Sequence, residues 1–160
     1  MMIIRNTLDI RDINIREGTI NDLAELLPIM SAMSGTNMLS CRRSVQAHLE
    51  DLNKTAFVCK YKGKMVGLVT VEVCEEDGET YGYINDIWVE PNCRGSGIGS
   101  RFACEAGLFS EKAGATKMYV HVSKDDFRTQ SFFKKMGYEP ERQESTGYIL
   151  YSEKIPRYFV

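Results

Sequence analysis

Tyr83 to Ser100, YINDIWVEPNCRGSGIGS, is the stretch on which the reading of the whole chain turns. Its first residues form a largely apolar strand, Pro91 breaks that strand, and Gly95, Gly97 and Gly99 make a tight turn that opens a helix. Glycine at alternate positions lets the backbone adopt conformations closed to other residues and approach a ligand with no Cβ in the way. Amides of the turn and of the first helical turn have no partner inside the helix, and the helix dipole adds positive potential where they point. Arg94 adds a permanent cation at the mouth. The stretch therefore reads as a phosphate cradle. It has neither the G-x-G-x-x-G of a dinucleotide fold nor the G-x-x-x-x-G-K-[ST] of a P-loop.

Length and composition narrow the rest. A chain of 160 residues suits one domain that buries about 70% of its unfolded surface. We read residues 1–12 as an arm, with Ile3, Ile4, Leu8 and Ile10 available to pack on the domain or on the second subunit of a homodimer, and 13–160 as the domain. A net charge of -2 offers no basic field for nucleic acid or an anionic membrane. The five cysteines, at 41, 59, 74, 93 and 104, form no C-x-x-C pair and are odd in number, which suits reduced thiols in the cytoplasm. With only His48 and His121 to join them, no metal site is expected. The start MMIIRN has no apolar run of signal-peptide length, and no segment reaches the length of a membrane span.

Taken in order, Ile13 to Glu17 alternates as a strand, and Thr19 with Asp22 caps a helix whose Ile20, Leu23, Leu26, Leu27, Met30 and Met33 recur at helical spacing. Ser34 to Ser40 reads as a loop and Ser44 to Leu52 as a short helix, with His48 a surface or helix-packing residue on it. Strands at Ala56–Tyr61 and Met65–Val73 are joined by a Lys62-Gly63 hairpin turn. Glu75 to Glu79, EEDGE, reads as an acidic loop, either a solvated turn or an electrostatic gate favouring a cationic acceptor. After the glycine turn come a helix with Ile98, Phe102, Ala106 and Phe109 inward, a strand at Lys117–Val122, and a helix capped by Asp125 or Asp126 and stopped at Gly137. A strand at Tyr148–Ser152 closes the chain.

Arg94-x-x-Gly97-x-Gly99, directly after a strand, resembles the coenzyme A pyrophosphate loop of the GNAT superfamily of N-acetyltransferases. Phe132-Phe133-Lys134-Lys135-Met136-Gly137-Tyr138 is similar to that family's second coenzyme-contacting helix, and with the order of elements the resemblance covers roughly residues 13 to 153. It implies an α/β (α+β) fold: a mixed, mostly antiparallel sheet, splayed between its central strands and flanked by helices. It also implies transfer of an acetyl group from acetyl-CoA to a primary amine, on a small molecule or peptide, by direct attack in a ternary complex. By the same resemblance the pantetheine arm pairs with the backbone of Ile87, Trp88 and Val89. The pyrophosphate then rests on the amides of Gly95, Ser96, Gly97, Ile98, Gly99 and Ser100, helped by Arg94.

Two residues depart from the family pattern. Asp126 stands where an Asn often contacts the coenzyme. Phe133 stands where a Tyr often faces the coenzyme sulfur and protonates the departing thiolate, and a phenyl ring has no proton to give. An acyl-CoA-binding module with little or no transferase activity is therefore the alternative reading. Direct attack needs a neutral amine: an amine of pKa near 10.4 costs about 4.6 kcal/mol to deprotonate at pH 7, an α-amine only about 1 kcal/mol. His121 matches a position where some relatives carry a glutamate base, and its imidazole could relay a proton through water, or simply pack in its strand. Asp86, on the central strand, is expected to be either a paired structural carboxylate or a functional acid. Tyr83 shares strand parity with Asn85 and could line the acceptor side. Cys93 is read as a structural thiol.

Overall fold

Lys62 and Gly63 both take positive φ, 50° and 79°, the geometry of the two-residue turn that matches the twist of paired strands. They join β2 (Lys54–Tyr61) to β3 (Lys64–Glu76). Asp77 and Gly78 repeat that geometry at 53° and 76°, so the acidic segment expected as a loop is instead the tip of a second hairpin, running into β4 (Glu79–Val89). The Asp-Gly pair at its centre is itself a strong hairpin signal, and it extends both strands to the turn. The computed structural model describes residues 8–35 and 37–155; Ile3 and Ile4 of the arm lie outside the described residues, whereas Leu8 packs against the core.

β1 (Ile13–Glu17) pairs antiparallel with β2, and β5 (Lys117–Ser123) lies parallel to β4. β7 (Tyr148–Lys154) runs antiparallel between β5 and the exposed edge strand β6 (Glu139–Gln143). The result is a seven-stranded, mostly antiparallel sheet in the order β1-β2-β3-β4-β5-β7-β6. α1 (Leu23–Ser34) and α2 (Met38–Glu50) lie on one face, where Leu23, Leu26, Leu27, Cys41 and Val45 pack against Val58, Met65 and Leu68. α3 (Ile98–Lys112) covers the other face with Ile98, Phe102 and Ala106, and α4 (Phe127–Lys135) adds Phe133 to the same cluster. α3 comes so close to β4 that a Cβ on Gly82 would fall 2.1 Å from Ser110 Oγ. Among the described residues no helix is long and apolar enough to cross a membrane.

Two boundaries differ from expectation. α2 begins at Met38 rather than near Ser44, because the Asn37 side chain accepts a hydrogen bond from the Ser40 amide and caps a helix through a stretch that reads as loop. Ile20, counted in the apolar stripe of α1, instead sits exposed in a 3-10 turn ahead of it.

That turn is pinned to the sheet. Arg16 on β1 donates two parallel hydrogen bonds, each 2.8 Å, to the buried Asp22, which also accepts from the Thr19 amide. These bonds, Arg16 foremost, hold the Asp22 carboxyl at a pKa of about 2 against the desolvation that would raise it. Because the folded pKa lies below the ordinary 3.8, the stabilisation is complete above that value and fades as pH falls towards about 2. Asp22→Asn is expected to cost about 2 kcal/mol at pH 7, with the gap to wild type closing as pH drops from about 4 to about 2. Urea unfolding midpoints across that range check it.

Candidate functional site

β4 and β5 are paired only from Tyr81 to Ile84, opposite Lys117 to Val120. Next along β4, Thr70 and Val71 of β3 face Asp86 and Ile84, so Asn85 is an extra residue without a cross-strand partner. Beyond this bulge β4 stays with β3 and β5 with β7, and the two strands separate. The bulge also changes which residues share a face. Ile87 and Val89 join the α3 side, while Trp88 packs with the α1 and α2 cluster. Asp86, rather than Asn85, continues the side of the sheet that carries Tyr83.

The gap opens into a cavity of about 750 Å³, within the usual range for ligand sites. Ile87, Trp88 and Val89 form one wall and the glycine turn forms the end. Gly95 and Gly97 take φ of 82° and 86°, which excludes most side chains, and an added Cβ at either would meet nothing within 4 Å. The Ser96 hydroxyl donates to the Cys93 carbonyl and locks the turn from behind. α3 starts at Ile98, so its first amides point into the cavity. At Gly99 an added Cβ would lie 3.1 Å from the Phe132 ring, which sets how closely α3 and α4 approach.

The opposite wall is a face of α4, the helix expected to contact the coenzyme, but through residues that sequence reading did not single out on it. Arg128, Ser131, Phe132 and Lys135 recur at helical spacing along the cavity. That spacing was the available signal. Asp126 lines the cavity and caps α4, accepting from the Thr129 amide at 3.1 Å. Burial, and then the neighbouring Arg128 charge, draw the Arg94 guanidinium below its usual pKa, with Asp126 opposing. Three cations against one carboxylate make this an anion-binding cavity. Cys93 also lines it, but burial and Glu90 push its thiol up, away from a nucleophilic thiolate.

Phe133 is placed differently from expectation. It is 0% exposed, lines neither cavity described here, and packs edge-on against Phe132 and Tyr138 with ring centroids 5.0 and 5.1 Å away. One helical step of about 100° gives the cavity wall to Phe132 and the core to Phe133.

On the other side of the point where β4 and β5 part lies a second cavity of about 310 Å³. His121 and Tyr83 stand at it, with the Tyr83 hydroxyl 2.5 Å from His121 Nδ1. His121 Nε2 is 3.5 Å from Glu144 Oε1. With the Nε2 proton turned to Glu144, Nδ1 accepts from Tyr83. Burial, with the charges of Glu72 and Asp86, raises the Tyr83 pKa and keeps its hydroxyl protonated. Asp86 lies outside this hydrogen-bonded set: it accepts a 2.9 Å hydrogen bond from Thr70 and lines neither cavity, which is the arrangement of the paired carboxylate. His48 is not merely a surface residue. Its Nδ1 donates to the Ser44 carbonyl and its Nε2 accepts from Asn85 Nδ2, both at 3.1 Å, tying α2 to the bulge. Among the described residues no group of histidine, cysteine or carboxylate side chains is arranged to hold a metal.

A sequence model of the acetyltransferase (GNAT) family matches residues 25–138. The chain is 28% identical over 102 residues to an uncharacterized N-acetyltransferase of Methanocaldococcus jannaschii, covering 62% of this chain and 45%, under half, of that protein. It is 21% identical over 150 residues to the uncharacterized N-acetyltransferase YhfO of Bacillus subtilis, covering 89% of this chain and 98% of that one. Among solved structures it superposes on the PaiA N-acetyltransferase of Thermoplasma acidophilum, a complex with coenzyme A, with a TM-score of 0.71 at 16% identity, covering 89% of this chain and 98% of the other.

The two adjacent phenylalanines should separate cleanly on mutation. Phe133→Ala is expected to lose about 3–5 kcal/mol of unfolding free energy as a core truncation. Phe132→Ala, on the cavity wall, should cost less stability and weaken ligand binding more. Chemical unfolding paired with calorimetric titration of the ligand distinguishes them.

Proposed function

The chain belongs to the acetyltransferase (GNAT) family, and from that premise we propose that it transfers an acetyl group from acetyl-CoA to a primary amine held in the second cavity. The observation that carries this reading is the parting of β4 and β5 at Asn85, with a cationic glycine turn at one end and the Tyr83–His121 pair at the other. The residues present suit the coenzyme. Arg94, Arg128 and Lys135 with the α3 amides match its phosphates, and the backbone edge of Ile87 to Val89 suits its extended amide-bearing arm. Laid along that edge, the arm would bring its thioester towards the Tyr83 hydroxyl. The five cysteines are all free thiols, in keeping with a reducing, cytoplasmic setting.

In the reaction the amine nitrogen forms a bond to the thioester carbonyl carbon and the carbon–sulfur bond breaks. One proton leaves the nitrogen and one reaches the departing thiolate. Tyr83, protonated and hydrogen-bonded to His121, can pass its proton to Nδ1 as it takes one from the amine, and Glu144 beside Nε2 stabilises the imidazolium. The proton can then return through Tyr83 to sulfur. Tyr83 thus offers from β4 the hydroxyl that Phe133 lacks. Holding the two reactants together supplies much of the remaining advantage.

Gly97→Asp, which puts a carboxylate among phosphate-binding amides and strains a φ of 86°, should abolish acetyl-CoA binding in isothermal titration. Unchanged affinity in a folded variant would remove the coenzyme from this turn. Separately, His121→Gln should lower kcat far more than it raises KM for acetyl-CoA. Thiol release in steady state measures both, and an unaltered kcat would make His121 a packing residue.

A further inference from the structure

We propose that the second cavity selects an acceptor carrying a further ammonium beyond the amine that reacts: an aliphatic di- or polyamine, or the same chemistry presented by a basic peptide. The proposal rests on the reading of Tyr83 and His121 as the transfer centre and adds the substrate class.

The cavity starts at Tyr83 and follows β4 back to its hairpin. Tyr81 and Glu79 lie two and four residues earlier on the same face, about 7 and about 13 Å along the strand. Tyr119 is opposite Tyr83 on β5, and its ring meets that of Tyr81 edge-on, centroids 5.1 Å apart. Aromatic faces attract ammonium groups. The protein's own Lys117 already demonstrates this: its Nζ lies 5.8 Å over the Tyr119 ring and 3.9 Å from Glu141, another residue of the cavity wall.

The outer end carries a charge arrangement that the fold does not require. Glu76 and Glu79 are direct cross-strand partners flanking Asp77 at the tip, and like charges so placed destabilise a hairpin. Among the described residues Asp77 has no salt bridge and Glu79 has none either, although the Glu79 charge acts on Lys117 from further off, and Glu76 accepts from the Tyr81 hydroxyl. Arg142 is the cation on the cavity wall, and its guanidinium is engaged by Glu144 at 2.8 Å. With the reacting nitrogen at Tyr83, a four-carbon diamine places its second ammonium beside the Tyr81 ring, and an acceptor the length of spermidine carries its far ammonium past the tyrosines and into these carboxylates. A monoamine of the same length would leave them as they are.

The test compares n-butylamine with 1,4-diaminobutane and spermidine, and an N-terminally blocked alanyl-lysine with a blocked arginyl-lysine peptide, in steady-state thiol release from acetyl-CoA. In each series the acceptor with the added cation should have kcat/KM higher by about tenfold, an advantage that shrinks as salt is raised. The better series identifies a free polyamine or a peptide as the source. The double variant Asp77→Asn, Glu79→Gln keeps a residue tolerant of positive φ in the turn and should reduce the preference several-fold. Equal rates for singly and doubly charged acceptors, or a preference intact in the variant, overturns the proposal. If no amine releases thiol, the transfer reading itself fails, and calorimetric titration of spermidine then decides the charge question. Binding that the double variant loses supports it, and no binding refutes it.

Discussion

One extra residue in β4 sets the terms for everything functional in this fold. Asn85 interrupts the β3–β4 register just where the parallel β4–β5 pairing ends, and a sheet that would otherwise continue closed opens into a wedge. Hydrogen bonds elsewhere hold the wedge open without strain. β4 keeps its ladder with β3, β5 keeps its ladder with β7, and no buried side-chain polar atom among the described residues is left without a partner. His48 bonds Asn85 from α2, so the bulge is also where the helical layer grips the sheet.

The wedge divides the molecule electrostatically. On one side Arg94, Arg128 and Lys135 gather around helix amides, and burial first, then the Arg128 charge, lowers the Arg94 pKa. On the other, carboxylates of the β3–β4 hairpin and β6 surround three tyrosines. A polyanionic donor and a cationic acceptor would therefore approach from opposite sides and meet where the strands part, at Tyr83 and His121. Net charge of -2 conceals this division, because the two fields nearly cancel in the sum.

Features with local causes were legible in the sequence. The positive φ of Gly95 and Gly97, the Asp126 cap, the Lys62-Gly63 turn and the inward stripe of α3 each depend on residues within a few positions of one another. Local chemistry that was overlooked belongs to the same class: Asn37 as a cap, Asp77-Gly78 as a hairpin, and the Arg128 to Lys135 face of α4 could all have been read. The element order, the spacing within the glycine turn and the Phe132 to Tyr138 stretch together carried the family resemblance that implied the fold.

What the sequence determined alone was thus most of the elements, their order and the glycine turn, since backbone conformation and helix capping are settled by neighbouring residues, whereas the edge strand β6 and the start of α2 were not read. The tertiary structure decided the rest. A bulge is a relation between two strands, so nothing within β4 announces that Asp86 rather than Asn85 follows Tyr83 on one face. The division between Phe132 on the cavity wall and Phe133 in the core depends on the angle at which α4 meets β5 and α3, which two identical side chains cannot reveal. Tyr83 and His121 are 38 residues apart, and Glu144 comes from the β6–β7 turn; only the pairing of β4, β5 and β7 brings their polar atoms within reach of one another.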